Sequence, residues 1–149
     1  SRAIEEHYWP LASGTAIPSF DLPRIIALAD RVDTIVCAYV SNQLPTGSQD
    51  PLGIRRAMYA LLSICFECQY ALDFDAVFDL GYQIVGKGQE NRDKLTTFFR
   101  QRLKTYLSDK DIPYDCVESV LDISMKTLYT GFIFEGPKLI QDILKIKLP

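Results

Sequence analysis

Four stretches of the chain carry residue types that could do chemistry. "LADRVD" at 28–33 sets Asp30 and Asp33 one helical turn apart. Two carboxylates at that spacing could hold a divalent cation or meet a basic partner; a solvated helix face with an internal ion pair is the simpler reading. "LPTGSQDPLGIRR" at 44–56 joins a Gly-Ser loop to two arginines. A Walker-type phosphate loop needs Gly-x4-Gly-Lys-Ser/Thr after a strand, and here one glycine, Gly47, stands without lysine or strand. Ser48 or Asp50 as N-cap, with Pro51 as the first helical residue, accounts for the stretch instead. The N–H groups of that helix end could still accept a phosphate.

"NRDKLTTFFRQRLKTYL" at 91–107 is a basic amphipathic helix in which Arg92, Lys94, Arg100, Arg102 and Lys104 face one acid, Asp93. Arg100 and Lys104 are i, i+4 neighbours and could meet successive phosphates. Arg102 falls within the apolar arc of Leu95, Phe98, Phe99, Leu103, Tyr106 and Leu107, so its stem should pack while its head snorkels or pairs. Finally, "CFEC" at 65–68 has CxxC spacing, but it lies inside a predicted helix without a second pair or a histidine nearby. Cys37, Cys65, Cys68 and Cys116 are all expected as reduced, buried thiols. His7 is the one histidine, and a terminal helix is a poor place for a catalytic base.

The elements that must position these residues read as helices throughout. Residues 2–9 end a helix before Pro10. Asp21 is the expected cap of a helix near 22–41, with Leu22, Ile25, Ile26, Ala29, Val32, Val36, Tyr39 and Val40 on its apolar face. A helix near 51–70 is apolar almost all round, which suits a central position. Arg55 points towards its apolar side and Arg56 away; a buried guanidinium needs a carboxylate, and Asp30 or Asp33 is the expected partner. Asp73 caps a helix at 74–85, ended by "GKG" at 86–88, and further helices follow near 90–108, 113–128 and 138–147. Sustained strand alternation, internal repeats and low-complexity segments are absent from the sequence.

Composition sets outer limits. Of 149 residues, 48% are hydrophobic and 23% charged, as in a folded globular chain. The net charge of −3 offers no general basic field, so any RNA contact has to be a local patch. No apolar run approaches the ~20 residues that cross a bilayer. The chain opens on Ser1 in what reads as mid-helix, as expected of a piece of a longer protein.

Taken together, "ALADRVDTI" and "PTGSQDPLGIRRAMYALLSI" resemble the β subunit of the bacterial two-subunit glycyl-tRNA synthetases, and the likeness extends from "IEEHYWP" to "FFRQRLKTYLSDKDIPYDCVESVLD". Gln49, Gly53 and "FECQYALDFDAVFDLG" depart from the family pattern. The resemblance implies an all-α fold: the late part of an HD-domain-like helical module at 1–88, then a helical segment at 89–149 leading to the anticodon-binding region. It implies a cytoplasmic fragment, non-catalytic by itself, that helps bind and position tRNA(Gly). Its partner would be the α subunit, in a heterotetramer of two α and two β chains, and the α subunit would hold the ATP and Mg2+ used for glycylation. Arg56, Arg100 and Lys104 are the expected tRNA contacts. Asp30 also matches the last aspartate of HD-domain phosphohydrolases, but the chain has no His-Asp pair, so no metal site is expected. Two other readings remain open: a fragment of a metal-dependent HD phosphohydrolase, and a helical protein-interaction module.

Overall fold

Helix α2, Asp21–Val40, is the spine against which three of the other helices pack. The computed structural model describes residues 2–70, 72–86 and 89–110; the helices expected at 113–128 and 138–147, and Cys116, lie outside them. The order is α1 Arg2–Glu6, α2, α3 Ile54–Cys68, α4 Phe74–Val85 and α5 Arg92–Ser108. The described residues are all-α, as the periodicity predicts. Helix α2 packs on α1, α3 and α4, and α3 packs on α5.

The core is built from Ile35, Met58, Leu61, Leu62, Phe74 and Phe78 with Leu95, Phe99 and Leu103 of α5. The core thus takes in residues of α5 as well as of α2, α3 and α4. Phe99 stands 4.6 Å from Phe74 and 5.9 Å from Phe78, ring centre to ring centre, a close aromatic cluster that locks α5 to α4. Asn91 begins α5 in the left-handed region and donates to the Tyr39 carbonyl at 3.1 Å. That carbonyl, in the last turn of α2, also accepts from the Asn42 N–H at 3.2 Å.

Two local readings need correction. The first is the buried face of α2. Its N-terminal half buries Ala27, Leu28 and Arg31, while Leu22, Ile25, Ile26 and Ala29 are exposed. Ile25 instead lines an apolar groove of about 670 Å3 between α2 and α4, with Leu80 and Ile84 on the other wall. Gly81 allows this approach, because a Cβ there would stand 2.9 Å from a Val36 methyl carbon. Nor does Asp21 cap α2. Phe20 holds the cap position, and the Asp21 carboxylate accepts from the Tyr70 hydroxyl at 2.5 Å and from Arg24 at 3.1 Å.

The second is the start of α3. The helix begins at Ile54, not at Pro51. Residues 46–49 form a tight turn with backbone bonds in both directions between Thr46 and Gln49. Gly53 then takes the cap position at φ +66, a left-handed conformation that glycine adopts without steric cost. Asp50 still does the capping chemistry from further upstream, accepting from the N–H groups of Ile54 at 2.7 Å and Arg55 at 3.1 Å. Asp73 caps α4 as its position predicts, accepting from Ala76 N–H at 3.1 Å.

Candidate nucleic-acid interface

The eight arginines of the described residues divide into two groups. Arg2, Arg24, Arg31 and Arg92 each pair with a carboxylate. Among the described residues, Arg55, Arg56, Arg100 and Arg102 pair with none.

Arg31 is the buried arginine that the periodicity of α2 conceals, since it stands between two aspartates in "LADRVD". It is 8% exposed. Its guanidinium donates to the carbonyls of His7 at 2.8 Å and Tyr8 at 2.7 Å and to Asp30 at 3.2 Å. Burial lowers its pKa, and Asp30 opposes that shift. The group pins the turn after α1, where the Trp9–Pro10 peptide is cis, onto α2. Nearby, Glu6 is 2% exposed and accepts from Ser19 N–H and Ser19 Oγ, both at 2.7 Å, and from Arg2. These bonds, those from Ser19 foremost, hold its carboxyl below the usual carboxylate range. His7 Nδ1 donates to the Ile4 carbonyl at 2.6 Å.

Arg92 is similarly occupied. It donates to Asp75 at 2.7 Å, Asp79 at 2.8 Å and the Thr96 hydroxyl at 2.5 Å, and its guanidinium lies over the Phe78 ring. Burial pulls its pKa down, and the bonds to the two aspartates more than restore it. This member of the basic helix is thus spent on joining α5 to α4.

The expected pair between Arg55 and Asp30 or Asp33 does not form. Arg55 is half-buried, and its guanidinium donates to the Gly47 carbonyl at 2.6 Å, closing the turn that precedes its own helix. Asp30 is held by Arg31, and Asp33 faces Cys37 Sγ at 3.8 Å. The buried Arg31 is thus paired with its own chain neighbour, Asp30. Arg56 is exposed and folds back over Gly53, where a Cβ would meet its terminal nitrogen at 2.9 Å.

Arg55 and Arg56 do have company. With Tyr59 they form one wall of a pocket of about 300 Å3, and Arg102, Thr105 and Tyr106 of α5 form the opposite wall. The loop after Pro10 closes one side, where Ser13 Oγ bonds the Tyr59 hydroxyl at 2.8 Å. Three arginines and no acidic residue line this space, and most of the surface they present to it is apolar. Arg102 packs its guanidinium over the Phe98 ring, 5.7 Å from its centre, and its Nε is buried without a partner. The Tyr106 hydroxyl is also buried, with Ser63 beside it but not in hydrogen-bonding geometry. Burial pushes the Tyr106 pKa up to about 12, Ser63 acting in the opposite direction. An unmet buried donor costs about 1–3 kcal/mol, so two beside one arginine pocket are notable. Arg100 and Lys104, both half-buried, do not line it. The structure therefore groups Arg56 with Arg55 and Arg102, and leaves Arg100 and Lys104 on another part of α5.

No group of three or more His, Cys, Asp or Glu side chains able to hold a metal ion occurs among the described residues. Cys65 is buried, and burial pushes its thiol up to about 12. Cys37, contrary to expectation, is exposed. No helix among the described residues is long and apolar enough to cross a membrane.

The sequence model of the glycyl-tRNA synthetase beta subunit matches residues 1–122. The chain belongs to that family. Its similarity to curated relatives agrees. It is 34% identical to the glycine–tRNA ligase beta subunit of Bacillus subtilis over 129 residues, covering 87% of this chain and 18% of the relative. It is 36% identical to that of Acaryochloris marina over 124 residues, covering 80% and 17%. The chain thus spans less than one fifth of the length of these beta subunits. Gly53, a departure from the family pattern, stands at the cap of α3 and not inside the helix.

Proposed function

We propose that this part of the beta subunit binds and positions tRNA(Gly) for glycylation and takes no part in the bond-making steps. The observation that supports it is the set of arginines on α3 and α5 without carboxylate partners among the described residues, in a chain whose net charge is −3. Where acids outnumber bases, unpaired guanidinium groups gathered on two helices make a local basic patch suited to phosphates. In this reading Arg56, Arg100 and Lys104 contact the RNA backbone. Glycyl-adenylate chemistry, with its ATP and Mg2+, belongs to the α subunit of a cytoplasmic heterotetramer.

The test is filter binding of tRNA(Gly) to the complete two-subunit enzyme at several salt concentrations. Changing Arg100 and Lys104 together to alanine should weaken binding and flatten its salt dependence. Equal affinity and equal slope would remove these two residues from the interface. A metal-dependent phosphohydrolase accords less well with the contacts, because Asp30 is engaged by Arg31 and His7 by a backbone carbonyl.

A further inference from the structure

We propose that the pocket between α3 and α5 is a seat for a single phosphodiester group of the RNA backbone, gripped jointly by Arg55, Arg56 and Arg102. This rests on the reading of the segment as a tRNA-binding part of the beta subunit, and gives that reading a specific site.

Several observations converge. Each of the three arginines is without a carboxylate partner among the described residues, while Arg31 and Arg92, at other helix junctions, are fully engaged. The lining contains no acid. Arg102 Nε, on the α5 wall, is a buried donor without an acceptor, and the buried Tyr106 hydroxyl beside it has only Ser63 nearby. A phosphoryl group supplies acceptors on several sides at once, and planar guanidinium groups match it in paired bonds. At about 300 Å3 the pocket is at the small end of ligand sites, in keeping with one anionic group. Three of its parts are fixed before any ligand arrives. Arg55 is tethered to Gly47, Arg102 is laid on Phe98, and Tyr59 stands edge-on to Tyr106 at 5.3 Å. Preorganisation of this kind reduces the cost of binding.

A shared phosphate has a signature that independent contacts lack. Removing one phosphate contact lowers the slope of log K against log salt by about 1. In the complete enzyme, Arg55→Gln and Arg102→Gln should each weaken tRNA(Gly) binding and lower the slope by about 1. The double variant should again lose about 1, because both side chains serve one phosphate. A double loss of about 2 would mean two separate contacts and would overturn the shared seat. Unchanged slopes in the pocket variants, beside a flattened slope for the Arg100/Lys104 variant, would overturn the pocket while sparing the RNA-binding reading. Unchanged slopes in every variant would overturn both. Thermal midpoints of each variant, together with Arg102→Lys, which keeps the charge and should keep most of the slope, separate loss of contact from loss of fold. Inorganic phosphate provides the second arm. Millimolar phosphate should raise the thermal midpoint of the wild-type enzyme and not that of Arg102→Gln. Such a shift with an unchanged tRNA slope would assign the pocket to a free phosphorylated molecule and overturn the RNA source.

Discussion

Arg31 and Arg102 make an instructive pair. Both guanidinium groups sit at helix junctions, and both belong to helices that look amphipathic in the sequence. Arg31 is closed in by carbonyls of the turn after α1 and by Asp30. Arg102 lies on an aromatic ring, with its Nε unmet and two more arginines across a small pocket. The first arginine has its partners built into the fold; the second has a place for one. Burial does not distinguish a structural cation from a binding one. The supply of acceptors does.

The largest effect that could break this contrast concerns Arg31. Arg31→Ala should destabilise the fold by about 2–3 kcal/mol, because it strands the His7 and Tyr8 carbonyls, while the more than half-exposed Asp30 carboxylate turns to water. Chemical denaturation reads this directly, and a loss under about 1 kcal/mol would show that the junction finds other partners. Arg92→Ala should cost less, about 1–2 kcal/mol, since Asp75 and Asp79 are themselves 42% and 48% exposed.

Arg102→Met is the sharpest inversion. It keeps an apolar stem on Phe98 and removes a buried unmet donor, so stability should hold or rise by up to about 1 kcal/mol while tRNA binding weakens. A stability loss comparable with that of Arg31→Ala would make the two arginines alike. Arg55→Ala, which breaks one bond from a half-buried group to Gly47, should cost no more than about 1 kcal/mol in the same measurement.

The smallest effect is set by pH. The folded-state pKa of Glu6 is depressed below its ordinary 4.5, chiefly by Ser19, and that of Asp21 below 3.8, chiefly by Tyr70. Each therefore contributes stability that is fully present above those ordinary values. The contribution is lost as pH falls through the depressed ones. Thermal midpoints should stay level from neutrality to about pH 5 and fall below it, and Glu6→Gln should reduce the acid-dependent part of the fall. A midpoint that fell already between pH 7 and 6 would point to a different group.

Much of the fold is legible along the chain. The period of apolar residues in α3 and α5, the Asp73 cap and the glycine after α4 are local signals, and local propensity and packing agree there. The apolar face of α2 is less so. Leu22, Ile25 and Ile26 are as apolar as the residues that are buried, yet all three are exposed, Ile25 in the open groove beside α4. The candidate site divides in the same way. Arg56 could be named from its outward direction on α3, and Arg102 from its place in an apolar arc. That these two face each other across one pocket, with Arg55, has no counterpart in sequence spacing.

The sequence by itself determined that the chain is helical, that it belongs among glycyl-tRNA synthetase beta subunits, and that its arginines concentrate on α3 and α5. Helical period and family motif are written in residue types at short range. Tertiary structure decided which arginine each carboxylate received. An ion pair forms between side chains that folding brings within about 4 Å, and the fold places Asp30 on Arg31 while Arg55 reaches the Gly47 carbonyl. The stretch at 44–56 shows both sides of this. Its cap chemistry is local, whereas the pocket that its two arginines line exists because α5 packs alongside α3.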